Sequence, residues 1–106
     1  MSRAPLIAFL IGLAAPALAQ QPNVAIAIRD SGFAPGEVEV PAGTKIELSI
    51  KNEQQRAAEF ESTALRREKV IPPGATGTVY VGPLQPGRYE FFDDFQPNNR
   101  GFLIAK

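Results

Sequence analysis

What most constrains this chain is a series of short runs in which apolar and polar residues alternate, each closed by proline or glycine. The clearest is Lys45-Ile46-Glu47-Leu48-Ser49-Ile50-Lys51. Its three aliphatics face one way and its polar residues the other only if the backbone is extended, because successive side chains of a strand point to opposite faces. Val24, Ile26 and Ile28 alternate with Ala25, Ala27 and Arg29, and Val38 and Val40 with Glu37 and Glu39 before the turn Pro41-Ala42-Gly43. Thr78-Val79-Tyr80-Val81, Arg88-Tyr89-Glu90-Phe91-Phe92 and Phe102-Leu103-Ile104-Ala105 add further strands. Pro72-Pro73-Gly74, Gly82-Pro83 and Pro86-Gly87 punctuate the intervals. Short strands separated by turn signals at this spacing predict an all-β sandwich with Greek-key connections.

Residues 53–69 break the rhythm. The segment is polar and mixed in charge, with Ala57, Ala58 and Ala64-Leu65 as weak helix formers, while Glu59-Phe60-Glu61 has the alternation of a brief strand. Helical turn and strand both stay open. A long irregular connection in a small domain is commonly functional or mobile.

The N-terminus has its own pattern. Arg3, the apolar run from Leu6 to Leu13, Pro16 and the small-residue ending Ala17-Leu18-Ala19 predict a secretory signal peptide over 1–19, export to the periplasm and a mature domain over 20–106. The alternative is an uncleaved anchor, but a bilayer span needs roughly 20 apolar residues and this run is shorter and interrupted by proline. The mature form is therefore expected not to be membrane-embedded. The chain carries 11 basic and 11 acidic residues; removing Arg3 leaves 11 − 1 = 10 against 11. That near-neutral balance gives no electrostatic reason to expect nucleic acid or anionic lipid as partner.

Composition also restricts the chemistry. The sequence has no cysteine and no histidine, so it has no disulfide, no thiol nucleophile and no imidazole base. Ser31, Ser49 and Ser62 have no evident activating neighbour, and neither a phosphate loop nor a zinc pattern occurs. A hydrolase or transferase is not indicated, and no catalytic residue is assigned.

From Phe33 to Lys106 the motifs resemble the cupredoxin-like periplasmic proteins of bacterial ferrous-iron uptake, those that accompany FTR-type permeases or form the related domain of Efe-type systems. The residues that carry the resemblance are Phe33-Ala34-Pro35, Val40-Pro41-Ala42-Gly43-Thr44, Lys51-Asn52, Glu59-Phe60-Glu61-Ser62, Leu65, Glu68-Lys69, Pro73-Gly74, Leu84-Gln85-Pro86-Gly87-Arg88-Tyr89, Phe91-Phe92-Asp93-Asp94-Phe95-Gln96-Pro97 and Gly101. The resemblance implies a cupredoxin-like fold and a part in iron transport, with ferrous iron oxidation as one form that part could take. It implies an FTR-type permease or a periplasmic iron-binding protein as partner.

Copper-binding cupredoxins build a soft site from two His, one Cys and a weak axial Met. Laid on this sequence, that pattern puts Asp93 at the Cys place, Gln96 at the His place and Asn99 near the Met place, with Glu59 about where the first His falls. The one methionine, Met1, leaves with the signal peptide. A blue-copper centre is excluded, and the remaining oxygen donors suit a hard ion. In the iron-uptake relatives the place of Gln96 is typically His. A primary amide is a weak carbonyl ligand that does not titrate, unlike an imidazole.

The metal ligands expected from this reading are Glu59, Glu61, Glu68, Asp93 and Gln96, with iron as the ion. Each also has a plainer account. Asp93 and Asp94 could make Asx-type bonds to nearby backbone, and on a strand only one of them points inward. Glu59 and Glu61 share a strand face and repel unless a cation lies between them, which Arg66, Arg67, Lys69 or Arg100 could supply. Glu68 could pair with Lys69. Tyr89 and Phe91, which share one face of their strand, are expected in the core, with the Tyr89 hydroxyl tied to backbone, and Phe95 on the loop, exposed to a partner. The alternative function is a metal-free module that docks on a permease or periplasmic partner through the loops 53–69 and 93–100.

Overall fold

The structure is a computed structural model that describes residues 21–106. The expected leader at 1–19 lies outside the described residues. Nine strands are present among those described: β1 (Asn23–Arg29), β2 (Gly32–Ala34), β3 (Glu37–Val40), β4 (Ile46–Asn52), β5 (Ala58–Ser62), β6 (Arg67–Ile71), β7 (Thr76–Val81), β8 (Gly87–Asp93) and β9 (Gln96–Ala105). They form two sheets, ordered β2-β1-β4-β7 and β3-β9-β8-β5-β6. β1 runs parallel to β4 and β3 parallel to β9, while the remaining neighbours are antiparallel. The alternating runs thus fold into a β-sandwich, and residues 53–69 resolve into the hairpin β5–β6, with no helix among the described residues.

The core is the inward set of each alternation. Ile26, Ile28, Ile46, Leu48 and Ile50 come from one sheet; Phe60, Ile71, Phe91 and Leu103 come from the other. Phe91 sits at the centre, with Phe33 edge-on at 4.8 Å and Phe60 tilted at 5.2 Å between ring centroids. Burial of one such ring stabilises by about 2–3 kcal/mol, and edge-to-face contacts add to that. Phe91 takes its space from position 101. A Cβ on Gly101 would stand 2.5 Å from Phe91 Cε2 and 2.9 Å from the Gly36 carbonyl, so no side chain fits. Tyr89 packs at the core edge and donates its hydroxyl to the Gln85 carbonyl at 2.8 Å, as the aromatic alternation predicts.

Asn52 fixes the approach to β5. Fully buried, it donates through Nδ2 to the carbonyls of Arg56 (2.7 Å) and Ile71 (3.0 Å), and its Oδ1 accepts from the Gln54 amide at 3.0 Å. One side chain thereby ties the 53–57 bend to the end of β6. Buried polar groups persist in a core when they are satisfied in this way.

Candidate metal centre

β5 is an inner strand of the five-stranded sheet, flanked by β6 and β8. Ala58, Phe60 and Ser62 are buried, so Glu59 and Glu61 leave the same strand on the outer face, both half-buried. Across the ladder Glu61 faces Glu68 on β6, and on its other side Phe92 on β8. Asp94 follows β8, and its amide donates to the Glu59 carbonyl at 2.9 Å. One carboxylate oxygen from each of Glu59, Glu61 and Asp94 can be chosen so that all three lie within 4.8 Å of one another.

No salt bridge reaches these carboxylates among the described residues, although Arg66 and Arg67 line a shallow open pocket with Glu61 and Glu68. Of the 11 acidic residues, Asp30, Glu37, Glu39, Glu53 and Glu90 pair with Arg56, Arg88, Lys106, Arg29 and Arg100. Glu47 accepts from Asn23, and Asp93 accepts from two backbone amides. The four acids left over, Glu59, Glu61, Glu68 and Asp94, are the ones that stand together. Arg67 is turned to the Tyr80 carbonyl on the other sheet. Lys69 lies beside Ile71 against Gly77 of β7, so the Glu68–Lys69 ion pair expected from their adjacency does not form. Arg100 is engaged by Glu90 over the Phe92 ring.

The electrostatic consequence is a raised proton affinity. Partial burial lifts the Glu59 carboxyl above its usual value, followed by the charges of Asp94, Glu68 and Asp93. Glu61 is raised first by partial burial, then by Asp94, Glu59 and Glu68, and by a hydrogen bond to the Asp94 carboxyl. Crowded like charges disfavour ionisation, and a cation placed among them reverses the sign of the interaction.

The other residues expected as ligands lie elsewhere. Asp93 is fully buried and pairs with inward-facing Phe60. Its Oδ1 accepts from the amides of Glu59 and Phe95, each at 3.0 Å, closing the β8–β9 turn, while its Oδ2 is buried without a partner among the described residues. Gln96 stands opposite Asp93 in the hairpin and lines an open cleft of about 440 Å³ with Asp30, Ser31, Asn98 and Asn99. Asn99 Nδ2 is also buried without a partner among the described residues. The predicted five therefore separate into an outer group of Glu59, Glu61 and Glu68, a buried turn residue, Asp93, and a cleft residue, Gln96. Asp94 completes the outer group in the place expected for Asp93. The parity of β8 carried that signal, because a core phenylalanine at 91 sends 93 inward and leaves 94 to the outer side.

Comparison with known proteins fits this architecture. Residues 2–105 match the family model described as a cupredoxin-like domain. The chain belongs to the cupredoxin-like domain family. An uncharacterised protein of Rickettsia prowazekii (strain Madrid E), RP394, is 46% identical over 84 residues, covering 78% of this cupredoxin-like chain and 67% of the relative. Among solved structures, the metal-binding domain of the Streptococcus pneumoniae D39 Cu(I)-exporting P-type ATPase CopA, determined with Cu(I), superposes with a TM-score of 0.72 at 15% identity, over 79% of this chain and 84% of that one. The purple cupredoxin of Nitrosopumilus maritimus gives 0.61 at 14% identity, over 78% and 99%. A Cu(I) form of an amicyanin mutant gives 0.64 at 12%, over 79% and 82%. At these identities the likeness is one of fold.

The copper of such neighbours does not fit this chain. With neither Cys nor His in the sequence, the residues that the copper-site pattern lays at the ligand places are Asp93, Gln96 and Asn99, and Asp93 is already held by two amides inside a tight hairpin. No thiolate or imidazole is available to make a blue-copper centre.

Proposed function

We propose that this cupredoxin-like protein is exported to the periplasm, binds a hard metal cation on the outer face of its five-stranded sheet, and hands that cation to a partner. The observation that carries the reading is the convergence of Glu59, Glu61 and Asp94 oxygens within 4.8 Å, with no salt bridge to any of the three among the described residues. Carboxylates are ligands for hard ions, and Glu68, directly across from Glu61, offers a fourth. Iron as the ion, and an FTR-type permease or periplasmic iron-binding protein as the recipient, follow from the resemblance of the 59–69 and 91–97 motifs to iron-uptake proteins. Carboxylate oxygen holds ferric more firmly than ferrous ion, so a bound ion that loses an electron to an external oxidant is retained until it is passed on.

The test is calorimetric titration of the full chain with ferrous ion under anaerobic conditions, and with terbium as a hard-cation probe read by its luminescence. One ion per chain, weakened by Glu61→Gln and by Asp94→Asn, supports the site. Absence of binding by both ions sinks it and leaves the domain as a metal-free docking module.

A further inference from the structure

The acidic cluster is bordered by apolar surface. Among the described residues, three large hydrophobic side chains are exposed: Val70 at 53%, Phe95 at 51% and Tyr80 at 46%. Tyr80 has local partners, with the Lys45 ammonium 5.0 Å from its ring centroid. Val70 and Phe95 have no such cover, and they lie on either side of one residue. Val70 is directly opposite Glu59 on β6. On the other side, the amides of Glu59 and Phe95 converge on the same Asp93 oxygen, which brings the β8–β9 turn that carries exposed Phe95 beside the backbone of Glu59. Across β6, β5 and the β8–β9 turn the surface therefore reads apolar, acidic, apolar.

The rest of the same sheet face shows how the chain covers such a surface with its own residues. Arg100 lies 4.8 Å from the Phe92 ring centroid and pairs with Glu90. Arg88 lies 4.4 Å from the Phe102 ring centroid and pairs with Glu37. On β8 and β9 each arginine has an acid to pair with and an apolar ring beneath it. On β5 and β6 the acids and the apolar side chains are present on this face, while the two cations of β6, Arg67 and Lys69, are turned toward the other sheet.

We propose that this end of the outer face is the docking surface for a basic segment of a partner protein, in which lysine or arginine is flanked by apolar residues. The partner's cations meet Glu59, Glu61 and Asp94, and its apolar side chains cover Val70 and Phe95. The charge pattern chooses the occupant. A two-fold contact with a second copy would set acidic cluster against acidic cluster, and an anionic lipid surface would be repelled. The inference rests on the reading of these carboxylates as a cation site, with the partner's cations taking the place of the metal. Docking and metal release are then linked, each weakening the binding of the other ligand.

The experiment uses the full chain, ¹⁵N-labelled and stripped with EDTA. It is titrated with acetyl-Leu-Arg-Val-Arg-Leu-amide and, in parallel, with the analogue carrying Glu in place of Arg. The basic probe is expected to shift amide resonances of residues 59–61, 68–70 and 94–95, and the acidic probe to leave them in place. Val70→Ser combined with Phe95→Ser should weaken the basic probe about ten-fold, with terbium affinity unchanged within about two-fold. Competition between the probe and terbium on the wild-type chain supports the linkage. Equal response to both peptides, shifts centred elsewhere, or no effect of the double variant overturns the proposal. So does concentration-dependent dimerisation through the same residues. Peptide binding by a chain that ignores terbium upholds the docking surface and refutes only the metal site; terbium binding without peptide binding does the reverse.

Discussion

The amide of Glu59 donates to Oδ1 of Asp93 over 3.0 Å, yet the two carboxylates lie on opposite sides of the sheet. Glu59 is turned to solvent beside Glu61 and Asp94, and Asp93 is turned inward to receive the amides of the turn. The same short stretch of β5 and β8 thus separates a carboxylate bound inside the turn from one that faces outward in the acidic cluster.

Substitution distinguishes the two. Asp93→Ala leaves the amides of Glu59 and Phe95 without their acceptor, and loss of two hydrogen bonds to a buried carboxylate should cost about 2–4 kcal/mol of stability. Chemical denaturation measures this directly. Asp94→Asn, on an exposed residue, should change stability by less than about 0.5 kcal/mol while weakening terbium binding. If Asp94→Asn destabilised the chain as much as Asp93→Ala, the division between turn and cluster would be wrong.

The crowding of Glu59 and Glu61 has a pH signature. Both carboxyls are raised in the folded chain above their value of 4.5, so between 4.5 and the higher folded values the folded state holds more protons than the unfolded one. Stability contributed by these groups is therefore greatest at or below the ordinary carboxyl range and falls as pH rises through the folded values. Glu61→Gln should raise the melting temperature at pH 7 and lose that advantage near pH 4. Addition of a bound cation should stabilise the wild type at pH 7 more than the variant. A melting temperature for Glu61→Gln at or below wild type at pH 7 would contradict the electrostatic account.

Asn52 gives a test of the hub that positions β5. Asn52→Asp keeps the shape but replaces the amide donor with an acceptor facing the carbonyls of Arg56 and Ile71. An ionised carboxylate there is both buried and repelled, at a cost on the order of 3–5 kcal/mol at neutral pH. Because the new carboxyl is held neutral in the fold, part of the loss should return as pH falls toward 4. A pH-independent loss would mean that packing, not hydrogen bonding, sets the role of this residue.

Much of the sandwich was legible because β1, β3, β4, β7 and β8 each carry an apolar stripe of period two, and burial follows that stripe in Ile46, Leu48 and Ile50. β6 was not, because Arg67-Glu68-Lys69-Val70 belongs to an edge strand with all four residues exposed, so its composition reports solvent instead of a core. β2 is only Gly32-Phe33-Ala34, too short for any periodicity to show. Glu59 and Glu61 were readable as a pair because residues two apart on a strand share a face. The replacement of Asp93 by Asp94 in the cluster depended on which of two adjacent aspartates follows the parity of Phe91, and the charge of the motif alone does not say. The separation of Gln96 from the carboxylates depends on the register shift at Phe92/Asp93, a feature of the folded ladder.

The contact between Phe91 and Gly101 joins the two longest strands of the site-bearing sheet and should set its rigidity. The two residues are directly opposite on β8 and β9, and the ring lies where a Cβ at 101 would stand. Gly101→Ala must therefore displace either the ring, which also touches Phe33 and Phe60, or the backbone at Gly36, whose carbonyl is 2.9 Å from the same point. Overpacking of this kind costs about 1–3 kcal/mol. Combining Gly101→Ala with Phe91→Leu removes the ring that causes the clash, so the double variant should be less destabilised than the sum of the two single changes. Denaturation of the four chains of this double-mutant cycle measures the coupling. Strict additivity would show that the ring does not determine the need for glycine at 101.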